Sequence, residues 1–190
     1  MNIKRTTLLL LLFGLNLSLY AQDTSVDKSI FGVQTGVLGL WIHNESRLVD
    51  QIALRSEIGL DAGLFGGSRY YNGTGFLLIP TLTLEPRWYY NLNKRSSRSR
   101  NIDANASNFV SLKTSLLPDW FVISNYDDIQ VIDQITIIPT WGIKRNIGPR
   151  FNYEAGLGIG DRFAFAKSAG FAENEGEAAA NLHLRIGYRI

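Results

Sequence analysis

Asn181-Leu-His-Leu-Arg-Ile-Gly-Tyr-Arg-Ile190 ends the chain in strict alternation of apolar and polar residues. Successive side chains of a β-strand point to opposite faces, so Leu182, Leu184, Ile186, Tyr188 and Ile190 share one face. His183, Arg185, Gly187 and Arg189 share the other. Such a strand fits a soluble sandwich, with the apolar face buried. It equally fits a membrane barrel, with the apolar face on lipid and the polar face in the lumen. Periodicity alone does not choose.

The beginning of the chain does. A basic tip (Lys4, Arg5) precedes an apolar run from Leu8 to Leu19 and a small residue, Ala21. This is the three-part layout of a secretory signal peptide, with cleavage expected after Ala21. The run is shorter than the roughly 20 residues of a spanning helix. The expected division is therefore residues 1–21 as signal peptide and 22–190 as one domain. The chain has no cysteine, which excludes a lipid-modified N-terminal cysteine and disulfides in an oxidising compartment. Cleavage would remove two of the 19 basic residues and leave 17 against 17 acidic ones. The near-zero balance gives no sign of a nucleic-acid partner.

Six further stretches have strand character, and none shows a sustained helical period. Residues 30–42 are glycine-rich and apolar but alternate poorly. Residues 51–64 set Ile52, Leu54, Ile58, Leu60 and Leu64 against Arg55, Glu57 and Asp61. Residues 75–90 set Leu78, Leu82, Leu84, Trp88 and Tyr90 against Thr81, Thr83, Glu85 and Arg87, with Pro80 and Pro86 on the apolar side. Residues 108–116, 134–145 and 151–165 alternate in the same way. Aromatic residues gather near strand ends: Trp88, Tyr89, Tyr90, Trp120, Phe121, Phe151, Tyr153 and Tyr188. Aromatic belts of this kind mark the two rims of membrane barrels.

With an export signal, alternating strands, aromatic rims and an alternating C-terminal strand, the chain resembles the small outer-membrane β-barrel proteins of Gram-negative bacteria, the OmpA/OmpX-like eight-stranded type. The resemblance implies an all-β, antiparallel up-and-down transmembrane barrel of about eight strands in the outer membrane. It implies outer-membrane lipid and lipopolysaccharide as surroundings, and the barrel assembly machinery as a partner during insertion. Members usually end on an aromatic residue; here Ile190 is last and Tyr188 stands two before it. Seven strands are evident, and single-chain bacterial barrels carry an even number. The eighth is expected within residues 22–42 or 117–133. With the C-terminus in the periplasm, connections 165–177, 117–133 and 65–75 fall outside, and 145–151, 91–107 and 43–50 in the periplasm.

This phasing turns Arg55, Glu57, Asp61, Glu85, Arg87, Lys113, Lys144, Glu154, Arg185 and Arg189 into the lumen. So many charges in a narrow barrel are tolerable only as a connected ion-pair network. The first expectation is a plug; the second is a narrow anion-preferring pathway. Gly156, Gly158 and Gly160, also inward, are expected to make room for arginine or tyrosine side chains from opposite strands. The glycine run 156–160 lacks the spacing and the helix of a dinucleotide fingerprint. Two histidines, His43 and His183, and no cysteine give no support to a His/Cys zinc site. A lipid hydrolase would need a Ser–His pair facing lipid. His183 is inward, and His43 is read as lying at a strand end. No cofactor or catalytic residue is therefore assigned.

Two connections carry recognition chemistry. Lys94, Arg95, Arg98 and Arg100 form a basic cluster suited to a polyanion, either lipopolysaccharide phosphates or a cell-wall polymer. Trp120, Phe121, Tyr126, Asp127 and Asp128 mix aromatic and acidic groups, as surfaces for sugars or proteins do. The function expected is a non-enzymatic barrel with a structural or surface-binding role. A small pore for ions or solutes, or a soluble periplasmic barrel holding an apolar ligand, stands as the alternative.

Overall fold

The computed structural model describes residues 24–66, 74–127 and 129–190. They form an all-β fold of one antiparallel sheet. Its strands are β1 (Ser29–Gly36), β2 (Gly39–Val49), β3 (Ile52–Gly66), β4 (Thr74–Trp88), β5 (Asn108–Leu117), β6 (Ile123–Ser124), β7 (Gln134–Ile147), β8 (Phe151–Ala164) and β9 (Glu175–Arg189). Each long strand pairs with the next, β5 pairs with β7, and β9 returns to β1. Eight strands thus close a ring without an edge. The two residues of β6 lie outside the ring and pair only with Leu77 and Leu78 of β4.

The eighth strand comes from residues 30–42. Gly36 pairs with Gly39 across a two-residue turn at Val37 and Leu38. Positions paired across such a turn share a face although one is odd and the other even. Phe31 and Val33 therefore face out on β1, whereas Leu40 and Ile42 face out on β2. The poor alternation of this stretch is two good alternations of opposite parity. Gly39 has φ +147°, a conformation that side-chain-bearing residues rarely adopt. The strand gained here reverses nothing downstream. The turn at 37–38, the 118–133 loop and residues 165–174 connect strands at one end, the loop end. Residues 50–51, 89–107 and 148–150 connect them at the other, the turn end, where both the lead before β1 and the C-terminus lie.

Pro86 on β4 and Pro139 on β7 sit where the sheet has no use for a donor. The β4–β5 ladder skips Glu85 and Pro86, and the β7–β8 ladder skips Ile138 and Pro139. Gly156 makes room for the imidazole of its register partner His183, and Gly158 and Gly160 lie against the backbone of β7. The expected arginine or tyrosine guests are absent from these positions. In a narrow barrel the nearest bulk comes from the adjacent strand.

Side-chain burial is inside out. Leu182 is 73% exposed and Leu157 57%, both facing out, whereas inward Arg55, Arg87 and Lys144 are 0% exposed. One group of polar side chains on the outer wall pairs internally: Asn44 Nδ2 donates to Ser29 Oγ at 2.8 Å, and Ser46 Oγ donates to Asn44 Oδ1 at 2.5 Å. Outward rings collect near the turn end. Trp88 packs edge-on against Tyr90 and Phe151 against Tyr188, and Trp141 Nε1 donates to Tyr90 Oη at 2.9 Å. Tyr89 departs from this belt and points into the barrel, fully buried.

Candidate functional site

The middle of the lumen is an ion-pair lattice. Every strand alternates, so each turns every second residue inward, and most of those at mid-height are polar. Here the inward carboxylates Glu45, Glu57, Glu85 and Glu154 meet the inward cations Arg55, Arg87, Lys144 and Arg185. Glu45 lies 2.8 Å from Lys144 Nζ, 3.1 Å from Arg55 Nη1 and 3.5 Å from Arg87 Nη1. It also accepts hydrogen bonds from Tyr89 Oη and Asn105 Nδ2, both at 2.9 Å. Arg87 donates both terminal nitrogens to Glu154 at 2.8 Å, and Nη2 also to Glu85 at 2.7 Å. Arg55 donates to Glu57 at 2.7 Å and to Gln34 at 2.6 Å. Arg185 donates to both Glu57 oxygens, at 3.0 and 2.9 Å. Ser111 Oγ donates to Glu85 at 2.5 Å, and His183 Nε2 lies 3.2 Å from Glu154 Oε1.

The Nε atoms of Arg87 and Arg185 are buried without a hydrogen-bond partner among the described residues. Their guanidinium carbons instead lie over aromatic faces, Arg87 at 4.2 Å from the Phe109 centroid and Arg185 at 3.8 Å from that of Trp41. Four positive and four negative groups thus balance. Desolvating any of them alone would be prohibitive; a hydrogen-bonded lattice makes the burial tolerable.

Seven of the ten residues assigned to the lumen network join it: Arg55, Glu57, Glu85, Arg87, Lys144, Glu154 and Arg185. Three do not. Arg189 stands at the end of β9 and reaches out to the Pro149 carbonyl at 2.6 Å. Asp61, nearer the loop end, accepts from Trp41 Nε1 at 2.6 Å instead of from a cation. Lys113 has no carboxylate within 4.0 Å among the described residues. Glu45, the most connected anion, escapes the sequence pattern because residues 43–50 read as a connection when 30–42 counts as one strand. His43 likewise lies within β2, buried and inward, rather than at a strand end. Neither imidazole faces outward.

Below the lattice the turn end is capped. Val26 from the lead, Ala53 from β3, Tyr89, Leu92 and Phe109 form a buried apolar cluster, with Ile102 packed against it. Leu92 comes from a short helix, α1 (Leu92–Ser96), in the long β4–β5 connection. The segments are stitched together: Asp27 N donates to Asn105 Oδ1 at 2.8 Å, Ala104 N to Asp27 Oδ2 at 3.1 Å, and Val26 N to the Asp50 carbonyl at 2.7 Å. Asn91 Oδ1 accepts from Ser107 Oγ and from Asn108 N.

Lys94, Arg95, Arg98 and Arg100 lie on this cap. Arg95 is half-buried and donates to the Asn101 carbonyl at 2.9 Å, whereas Lys94, Arg98 and Arg100 are exposed. At the loop end, Trp120 and Phe121 project from the β5–β7 connection, with Asp127 exposed and Tyr126 half-buried. Asp128 lies outside the described residues. That connection is tied to β4 by Phe76 N donating to Asn125 Oδ1 at 2.8 Å and Ser124 Oγ to the Phe76 carbonyl at 2.7 Å. The two ends differ in charge, with basic residues on the cap and Asp119, Asp127, Asp133, Glu173 and Glu175 at the loop end.

Among the described residues, no group of three or more His, Cys, Asp or Glu side chains is arranged to hold a metal ion. No helix there is long and apolar enough to cross a membrane. No family model, curated protein or solved structure matches the chain.

Proposed function

We propose that the protein is an outer-membrane barrel of the small OmpA/OmpX-like kind, exported by residues 1–21, with a closed lumen and a structural or surface-binding role. The observation that carries this reading is the inversion of burial around an edgeless ring. A belt of leucine, isoleucine and aromatic side chains covers the outside, while arginines and glutamates fill the inside. So large a contiguous apolar surface is unfavourable in water and favourable in lipid. A ring with every strand paired leaves no backbone donor bare in hydrocarbon. A soluble barrel for an apolar ligand would require an apolar lumen, and the charges speak against it.

The cap and the lattice favour a plug over a pore. The purified protein in a planar bilayer is expected to add no discrete conductance steps over background. Resolved steps that persist across preparations would establish the pore reading instead. The membrane assignment itself is tested by gel mobility of the outer-membrane fraction with and without boiling. A folded barrel migrates differently from its boiled form; a soluble periplasmic protein with no shift would end this reading.

The basic cap supplies the surface-binding role. With the C-terminus in the periplasm, Lys94, Arg98 and Arg100 face the cell wall, and the partner is an anionic wall polymer. In the opposite orientation the same groups meet lipopolysaccharide phosphates. Replacing all three by glutamine is expected to abolish co-sedimentation with isolated cell wall at low salt, while leaving the heat-shifted band intact. Unchanged co-sedimentation would reduce the cluster to a solvated turn.

A further inference from the structure

We infer that the loop-end half of the lumen is a binding pocket for a small organic carboxylate, held at its head by Lys113. The inference goes beyond the plug reading and rests on its account of the lumen as capped at the turn end. A cavity of about 550 Å³ lies on the loop-end side of the lattice. Lys113, Ser115, Thr136 and Asn181 line it, and Leu117 and Ala179 contribute apolar wall.

The charges decide what the cavity can take. The lattice below is complete in itself, four cations against four carboxylates. Lys113 is a fifth inward cation without a carboxylate within 4.0 Å among the described residues. Asp61, a fifth inward carboxylate on the same wall, accepts from the Trp41 indole N–H at 2.6 Å and is not in contact with Lys113. Arg185 at the floor is committed to Glu57. A half-buried ammonium with no carboxylate in contact among the described residues therefore faces the cavity; Glu57, Glu85 and Asp61 act on it only from beyond 4.0 Å. An anion supplies what it lacks, and charge-assisted hydrogen bonds are the strong ones. The Thr136 hydroxyl stands on the neighbouring strand to take the second oxygen, while Ser115, on the same strand as Lys113, is shared with Thr83 Oγ1 at 2.8 Å. The apolar wall favours an anion with a short hydrocarbon tail over a fully hydrated inorganic ion.

The test uses the full-length mature barrel, folded in detergent, and isothermal titration with hexanoate. Saturable binding is expected, with hexanol and inorganic phosphate at least about tenfold weaker. Lys113→Met keeps the length of the side chain and removes the charge, and it should reduce hexanoate affinity about tenfold or more. The boiled and unboiled gel bands of the variant confirm that it folds. Lys28→Gln, at an exposed position just before β1, should bind as the parent does. Absence of saturable binding would overturn the inference. So would equal affinity for hexanol, tighter binding of phosphate than of hexanoate, or an unchanged affinity in Lys113→Met. None of these results would touch the plug reading, which stands or falls on conductance.

Discussion

Glu45→Gln is expected to destabilise the barrel by about 3–5 kcal/mol, the range found when one partner of a buried ion pair is removed. The substitution keeps the shape of the side chain and deletes one negative charge. Arg55, Arg87 and Lys144, all fully buried, would then lean on the remaining carboxylates, and Lys144 would lose its nearest one at 2.8 Å. Tyr89 Oη and Asn105 Nδ2 both reach Glu45 Oε2, and an amide there can oppose their donors with its own. The readout is the urea midpoint for loss of the fast-migrating folded band. Glu45→Gln combined with Lys144→Met restores the balance of charge and should recover part of the loss. A midpoint unmoved by the single change would mean that water screens the lattice, leaving its pairs worth no more than the roughly 0–1 kcal/mol of exposed ones.

Phe109→Ala is the second large effect, again expected at about 3–5 kcal/mol. The ring is fully buried and has three duties. It packs against Tyr89 at a centroid distance of 5.7 Å, lies beneath the Arg87 guanidinium, and fills the space over its register partner Gly142. Truncation opens a cavity between cap and lattice and strips Arg87 of the face that its unpartnered Nε rests on. Gly142→Ala approaches the same place from the other side, because the new methyl would collide with Phe109 Cζ. Both variants should lower the urea midpoint, Phe109→Ala the more. Equal midpoints for Phe109→Ala and the parent would show that the cap contributes nothing to stability.

Strand phase was legible wherever alternation was clean. From Arg55 to Arg185, the lattice charges on β3, β4, β7, β8 and β9 follow from parity alone, whereas Arg162 and Glu177, of the same parity near the loop end, go unassigned. What parity does not carry is height along the barrel axis. Asp61, Lys113 and Arg189 share the inward face with the lattice but stand above or below it, and their partners differ accordingly. Glu45 was lost for another reason. Its strand follows a turn whose two central residues are Val37 and Leu38, apolar where turns are usually polar. The flanking Gly36 and Gly39, together with the switch from odd to even outward positions, were the available signal. The cap was not legible at all, since Val26, Leu92 and Phe109 meet only through tertiary packing and no local pattern joins them.

That cap governs how dry the lattice is. Val26 belongs to no strand, yet it packs with Ala53, Tyr89, Leu92 and Phe109 to close the turn end directly below the ion pairs. Charges attract more weakly where water reaches them. The strength of the pairs around Glu45 therefore depends in part on a residue before β1 that takes no part in any of them.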